Sequence, residues 1–215
     1  MNAAEHSWLE PKRTALVVVD LQNDYCAEAG HLARNGQDVS AIGAILPRVV
    51  RLAAGARQAG ALVIFTQQTS YPGGIGRSAA RAHYKAKAKP GLGTDYPLAG
   101  SWGHAVAAPL EPQAEDLLLP KCRQSAFFGT PLDTILRAAE RGIILFCGAV
   151  TEGCVETSVR DAANHDYIPV VIEDCVASNR PELHAAAMTV MRARYDTIGA
   201  DALLARWSMP AGIGR

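Results

Sequence analysis

The stretch GIILFCGAVTEGCVETSVRDAANHDYIPVVIED, residues 142–174, decides the fold of this chain. It opens with an apolar run of strand length (142–150) and continues with a segment (154–166) whose apolar residues share one helical face. A second apolar run (168–174) closes it. A strand, a helix and another strand in this order are typical of a βαβ unit, whose strands are parallel and buried on both faces.

The same alternation continues towards both ends of the chain. The helix predicted at 46–59 has Pro47 in its first turn and Gly60 at its end. We therefore expect a single α/β domain over residues 1–215, with a three-layer, doubly wound, mostly parallel sheet of about six strands and helices on both faces. The other predicted strands are 14–21, 61–67, 116–121 and an edge strand in YDTIGA (195–200), and the other predicted helices are 131–142 and 181–194.

Residues 68–115 interrupt this alternation and are rich in Gly, Pro and aromatic residues. Because a long irregular segment inside a compact domain is usually functional, we predict an inserted lid or a subunit contact here. Arg77, Arg81 and Lys85 are spaced four residues apart and would share one face if residues 77–88 are helical. Such a face could bind a substrate carboxylate or simply be solvated.

Composition argues against several classes of protein. Lys and Arg together number 21, as do Asp and Glu, so the charge gives no reason to expect nucleic acid or an anionic membrane as partner. The first residues, MNAAEHSWLEPKR, lack the continuous apolar core of a signal peptide, and we expect a cytoplasmic protein. The five widely spaced cysteines include no C-x-x-C pair, which argues against a disulfide framework or a structural zinc site.

Three reactive side chains follow predicted strands. Asp20 ends the first, Lys121 ends DLLLPK, and Cys154 lies where the fourth strand turns into a helix. Since parallel strands end at one edge of a sheet, we expect these side chains to meet there. Cys154 would be the nucleophile, with its pKa lowered by the helix N-terminus and by Lys121, and Asp20 would transfer the proton. Backbone N–H groups of the turn could hold an oxyanion.

Three motifs carry a resemblance to a known family. VVVDLQNDYC (17–26), PKCRQSAFFGTPLD (120–133) and GAVTEGCVETSVRDA (148–162) resemble the signature stretches of the cysteine hydrolases in the isochorismatase-like superfamily, and the resemblance runs from about Thr14 to Trp207. It implies an Asp20–Lys121–Cys154 triad, a cis peptide bond at Ala149–Val150, and an oxyanion hole formed by the N–H groups of Val150 and Cys154. It also implies no cofactor, and a homodimer or homotetramer.

The branches of this superfamily differ in residues that can be read here. Nicotinamidases bind a metal through an Asp-x-His and a later His just after the second strand, whereas this chain has ALVIFTQQTSYPGG (61–74), so we expect no metal. Isochorismatases lack the nucleophilic cysteine. The amide-cleaving branches remain. SAFFGTPL (125–132) resembles the N-carbamoylsarcosine and maleamate type. In contrast, DLQNDYCAEAGHL (20–32) and NGQDVS (35–40) resemble the ureidoacrylate, biuret and triuret type.

The predicted function is a cysteine-dependent amidohydrolase that cleaves a linear C–N bond of a small ureido or amide compound through a thioester, releasing ammonia or an amine. The alternatives are a nicotinamidase-type deamidase and a non-catalytic α/β binding protein. A Glu152 carboxylate facing the site would favour a neutral or amino-bearing substrate, whereas a first-turn acid would only stabilise the helix start. The candidate substrate contacts are Gln22, Tyr25, Tyr71, Trp102, Phe127 and Glu152.

Overall fold

The computed structural model describes residues 8–88 and 90–208. Within these residues six strands form one sheet in the order β3-β2-β1-β4-β5-β6, and every neighbouring pair is parallel. The predicted fold class is therefore confirmed. The strands are β1 Thr14–Val19, β2 Leu62–Gln68, β3 Leu117–Lys121, β4 Ile143–Ala149, β5 Ile168–Ala177 and β6 Asp196–Ile198.

Helices cover both faces of the sheet because the central strands are apolar on both sides. Along β1, Leu16 and Val18 belong to one core cluster, while Val17 and Val19 belong to another on the opposite face. None of the described helices is both long and apolar enough to cross a membrane. The helices are α1 Asn23–Cys26, α2 His31–Arg34, α3 Ser40–Ala59, α4 Ala79–Ala88, α5 Leu132–Ala138, α6 Glu156–Asn164, α7 Pro181–Arg194 and α8 Ala200–Trp207.

The strand order places a crevice between β1 and β4. The chain moves outward from β1 to β2 and β3, then returns to lay β4 on the other side of β1. Connections leave these two neighbouring strands in opposite directions, which opens the sheet at their carboxyl ends. Asp20 follows β1 and the segment containing Cys154 follows β4, so both lie at this crevice.

Two helix starts differ from the sequence prediction. Helix α3 begins at Ser40, so Pro47 lies inside it and not in its first turn. At this start the Ser40 backbone N–H, which has no partner within the helix, donates to Asp38 Oδ1 at 2.8 Å. The helix predicted from residue 154 is preceded by a π-helical turn, Thr151–Val155, and α6 continues from Glu156.

The segment 68–115 contains helix α4, and its C-terminal part is tied to the rest of the domain. Val106 bridges to Gln22, just after β1, whereas the bridge from Ser70 to Leu98 lies within the segment. Arg77 lies before α4, which begins at Ala79, so the three predicted cations do not all lie on one helix. Whether the segment acts as a lid or a subunit contact stays a prediction.

Candidate active site

Asp20 and Lys121 form a buried ion pair across β2. The Lys121 Nζ lies 2.7 Å from Asp20 Oδ2, with 0% and 1% of the respective side chains exposed. Thr66 on the intervening strand donates its hydroxyl to Asp20 Oδ1 at 2.7 Å and accepts the Asp20 backbone N–H at 3.2 Å. Asp20 itself has a left-handed backbone, with φ of 49°, as the chain turns away from β1. The carboxylate is therefore held in one orientation.

The Lys121 ammonium also contacts the sulfur of Cys154. Burial alone would lower the pKa of Lys121, but the charge of Asp20, the charge of Cys154 and hydrogen bonds to both outweigh it and raise that pKa. Its remaining partners are Gln68 Oε1 at 3.3 Å and the Arg123 carbonyl at 3.0 Å. The structure thus brings the three residues predicted as a triad to one point, with a permanent cation between acid and thiol.

The turn that carries Cys154 is held by hydrogen bonds. The N–H groups of Gly153 and Val155 donate to the Val150 carbonyl at 3.0 and 3.3 Å. Ser158 donates its hydroxyl to the Cys154 carbonyl at 2.6 Å and accepts the Ala126 N–H at 2.9 Å. The peptide bond Ala149–Val150 is cis. Cys154 is partly exposed and so can be reached by a small molecule.

Gly148 allows β4 to approach β1 closely beside the site. Its φ is 114°, and a Cβ at this position would lie 2.1 Å from the Val19 carbonyl oxygen. Only glycine fits such a backbone and such a contact. The glycine therefore sets the spacing between the ends of the two strands that carry Asp20 and Cys154.

A cavity of about 420 Å³, including its open mouth, leads to Cys154. Cys154 and Val150 form one part of its wall, and Tyr84 of α4 forms another. The Tyr84 hydroxyl donates to Gln124 Oε1 at 2.8 Å, which joins α4 to the loop after β3. Tyr25 also lines the cavity, and burial followed by the Asp20 charge raises its pKa well above its ordinary value. Its hydroxyl therefore stays a proton donor.

Comparison with known proteins places the chain in a family. The family described as the Isochorismatase domain matches residues 14–201. The chain belongs to the isochorismatase family. It is similar to the ureidoacrylate amidohydrolase RutB of Methylobacterium radiotolerans, with 35% identity over 189 residues that cover 84% of this chain and 73% of the relative.

Solved structures of isochorismatase-like proteins share the fold. A cysteine hydrolase from Pseudomonas syringae pv. phaseolicola 1448A has a TM-score of 0.79 and 25% identity, covering 92% of this chain and 93% of that one. The pyrazinamidase/nicotinamidase of Streptococcus mutans UA159 has a TM-score of 0.73 and 24% identity, covering 86% and 99%. At 24% identity, the similarity to the Streptococcus mutans protein shows a shared fold and nothing more.

Among the candidate substrate contacts, only Tyr25 lines the cavity at Cys154. Gln22 is buried, and its side chain forms hydrogen bonds with the Gln68 backbone and the His104 carbonyl. It therefore holds neighbouring segments in place and does not line the cavity. Tyr71 lines an adjoining cavity of about 390 Å³. Trp102, 55% exposed, lines neither cavity.

Phe127 and Glu152 are directed elsewhere. Phe127 is buried in the core cluster that also contains Leu132, Leu136 and Val159, and its ring is stacked on His165 at 5.0 Å between centroids. Glu152 precedes Cys154 by two residues on the turn and therefore points in another direction. Its Oε1 accepts a hydrogen bond from Ser178 at 3.1 Å, beyond the end of β5. The Glu152 carboxylate therefore does not face the substrate cavity.

Several residues at the site were not predicted from sequence. Thr66 and Gln68 hold Asp20 and Lys121, and Gln124 and Tyr84 line or close the cavity. Polar residues at the end of an otherwise apolar strand, TQQ at 66–68, were the available signal for the first two. Gln124 and Tyr84 lie in loop and insertion segments, where no periodic pattern marks a position.

At the end of β2 and just after it, where the nicotinamidase-type Asp-x-His motif is missing from the sequence, the chain has amide and hydroxyl groups. Thr69 Oγ1 lies 2.9 Å from His104 Nε2, and Gln67 donates to the His104 carbonyl at 2.9 Å. Burial lowers the pKa of His104 although Asp24 and Asp20 act in the other direction. Over residues 8–88 and 90–208, no group of three or more His, Cys, Asp or Glu side chains could hold a metal ion.

Proposed function

We propose that this protein is a cysteine-dependent amidohydrolase that cleaves a linear C–N bond of a small ureido compound through a thioester on Cys154. That it hydrolyses carbon–nitrogen amide bonds other than peptide bonds follows from its family and its amidohydrolase relatives. What we propose beyond this is that the Cys154 sulfur is the nucleophile and that the substrate is a ureido compound. One observation carries it: the buried Lys121 ammonium contacts both the Asp20 carboxylate and the Cys154 sulfur beside an open cavity.

The first half of the reaction forms the thioester. The Lys121 ammonium stabilises the Cys154 thiolate, and Asp20 takes the thiol proton. The sulfur attacks the substrate carbonyl, and the oxyanion accepts hydrogen bonds from the N–H groups of Val150 and Cys154. Both residues line the cavity, which supports this assignment. Protonated Asp20 then gives its proton to the leaving nitrogen as the C–N bond breaks.

The second half hydrolyses the thioester. Asp20, again a carboxylate, takes a proton from water as the water oxygen attacks the thioester carbonyl. The C–S bond breaks and the acid product leaves, and Asp20 returns its proton to the sulfur, which restores the Cys154 thiol beside Lys121. Lys121 keeps its charge throughout, which its raised pKa supports.

Within the amide-cleaving branches, we favour a substrate of the ureidoacrylate type. The similarity to ureidoacrylate amidohydrolases covers most of the chain, whereas the carbamoylsarcosine-like SAFFGTPL is one short motif. N-carbamoylsarcosine, maleamate, biuret and triuret remain alternatives, as does nicotinamide, because a nicotinamidase shares the fold.

The test is ammonia release from these six compounds by the unmodified protein, Cys154→Ser and Cys122→Ser. Cys122 is the matched control because it is the other partly exposed cysteine of the described residues. We expect Cys154→Ser to lose about 10³-fold or more in rate, since loss of a nucleophile removes the covalent pathway, and Cys122→Ser to stay active. Undiminished activity in Cys154→Ser would exclude the proposed nucleophile, and a non-catalytic protein would release no ammonia from any compound.

A further inference from the structure

Helix α4 places two cations in the wall of the cavity that leads to Cys154. Arg81 and Lys85 lie one turn apart, are half-buried, and both line this cavity. Arg77, before the helix, does not line it and is bound to the side chains of Thr94 and Asp95. The cavity therefore faces two of the three cations in the series.

Lys85 is occupied by the protein itself. Its ammonium donates to the carbonyls of Thr94 at 2.9 Å and Tyr96 at 2.7 Å, and lies 4.1 Å from the centroid of the Tyr96 ring. These contacts satisfy a point charge with three donors. Lys85 therefore positions the loop that follows α4.

Arg81 is differently placed. Its guanidinium lies 5.4 Å from the centroid of the Tyr84 ring, and among residues 8–88 and 90–208 no side-chain carboxylate or backbone carbonyl pairs with it. A guanidinium offers paired N–H donors that match the two oxygens of a carboxylate. A half-buried guanidinium without a protein counter-ion in a reactive cavity is suited to bind an anionic ligand.

The charges around the cavity favour the same ligand. No Asp or Glu lines it. Asp20 is neutralised by Lys121, and Glu152 is turned towards Ser178. The wall is thus positive on the α4 side, and a cleft with charge of one sign attracts ligands of the other.

We infer that Arg81 binds a carboxylate of the substrate, so that the preferred substrates are ureido or amide acids and not their neutral counterparts. This inference rests on the proposed function, because it assumes that the scissile carbonyl lies at Cys154. The substrate then spans the cavity, with its reacting end beside β4 and its anionic end under α4. Arg81 selects the substrate by charge and takes no part in bond breaking.

The test compares ureidoacrylate with its uncharged methyl ester in Arg81→Gln, Arg81→Lys and Lys87→Gln. Lys87 is the matched control: it lies on the same helix, carries the same charge, is exposed and lines neither cavity. For Arg81→Gln we expect kcat/KM for ureidoacrylate to fall about 10- to 100-fold, mainly through KM, as hydrogen bonds to a charged group are lost. The ester should change less than about threefold, Arg81→Lys should recover part of the loss, and Lys87→Gln should match the unmodified protein. Equal effects on both substrates, or none, would overturn the inference.

A binding measurement separates this inference from the proposed function. Calorimetry of ureidoacrylate with Cys154→Ser and with Cys154→Ser/Arg81→Gln requires no turnover. Tight binding that is lost with Arg81 supports the inference even if the unmodified protein releases no ammonia, a result that would defeat the proposed function alone. Turnover of ureidoacrylate with binding unaffected by Arg81→Gln would defeat the inference alone.

Discussion

The Asp20–Lys121 pair shows how single residues bear on both stability and chemistry. A buried ion pair stabilises a fold little more than a well-packed apolar pair of similar size does, because both charges lose their hydration. What the pair does here is hold a cation against the Cys154 sulfur and a carboxylate against that cation. Thr66 and Gln68 complete the hydrogen bonding that makes such burial tolerable.

The stability losses from removing the two charges should not add, because removing one charge leaves the other buried and uncompensated. We expect Lys121→Met or Asp20→Asn to lower the free energy of unfolding by about 3–5 kcal/mol, since each leaves an uncompensated buried group, and the double variant to lose less than the sum. Urea unfolding measures this independently of activity. Strictly additive losses would contradict the pairing.

The raised pKa of Lys121 gives this pair a definite pH dependence. A group whose pKa is raised by folding stabilises the protein in full below its unfolded pKa, about 10.4 for lysine. That stabilisation is lost as the pH rises through the higher pKa of the folded state. The stability difference between the unmodified protein and the double variant Lys121→Met/Asp20→Asn, which has no unpaired buried carboxylate, should therefore stay constant near neutrality and shrink only above about pH 10, as urea unfolding at a series of pH values would show.

At the scale of elements, Gly148 controls how β4 meets β1. Gly148→Ala should abolish soluble folding or lower stability by more than about 4 kcal/mol, because its Cβ would press into the Val19 backbone. Gly36→Ala is the control, since Gly36 also has positive φ, 76°, but has open space around it. We expect it to lose only about 1–2 kcal/mol for the backbone conformation. Thermal unfolding compares the two, and similar losses would refute the close-approach explanation.

Helices were predictable where their apolar face or their end signals were strong. The prediction for α7, 181–194, matches Pro181–Arg194, because proline begins the helix and buried residues recur along it. Helix α4 has no buried residue among its ten, so no apolar stripe could reveal it. It is held by side-chain bonds such as Tyr84–Gln124, which depend on loops distant in sequence.

At the scale of the whole molecule, topology explains which part of the site could be predicted. Parallel strands end at one edge, so the sequence was enough to bring Asp20, Lys121 and Cys154 together. The substrate side of the cavity depends on how residues 68–115 fold back, which strand patterns do not encode. Trp102 was therefore expected at a cavity that Tyr84 and Arg81 line instead.

The amide and hydroxyl groups at the end of β2 and just after it lead to a prediction about metal dependence. Gln67 and Thr69 are poor ligands for zinc compared with His, Cys or carboxylates, and both bond to His104. Dialysis against EDTA should leave ammonia release unchanged, with a metal-dependent nicotinamidase treated in parallel as the control. Activity lost on dialysis and restored by zinc would instead favour the nicotinamidase-type alternative.

The position of β1 in the sheet has a consequence for biosynthesis. Residues 14–121 can form the half-sheet β3-β2-β1, with Asp20 already against Lys121, while the chain is still emerging from the ribosome. The other edge of β1 must wait for β4, since Thr14 pairs with Ile143. Until then a fully apolar strand has one open edge, and such edges readily pair with other chains. β1, the strand that leads into Asp20, therefore keeps one unpaired edge until β4 has been synthesised.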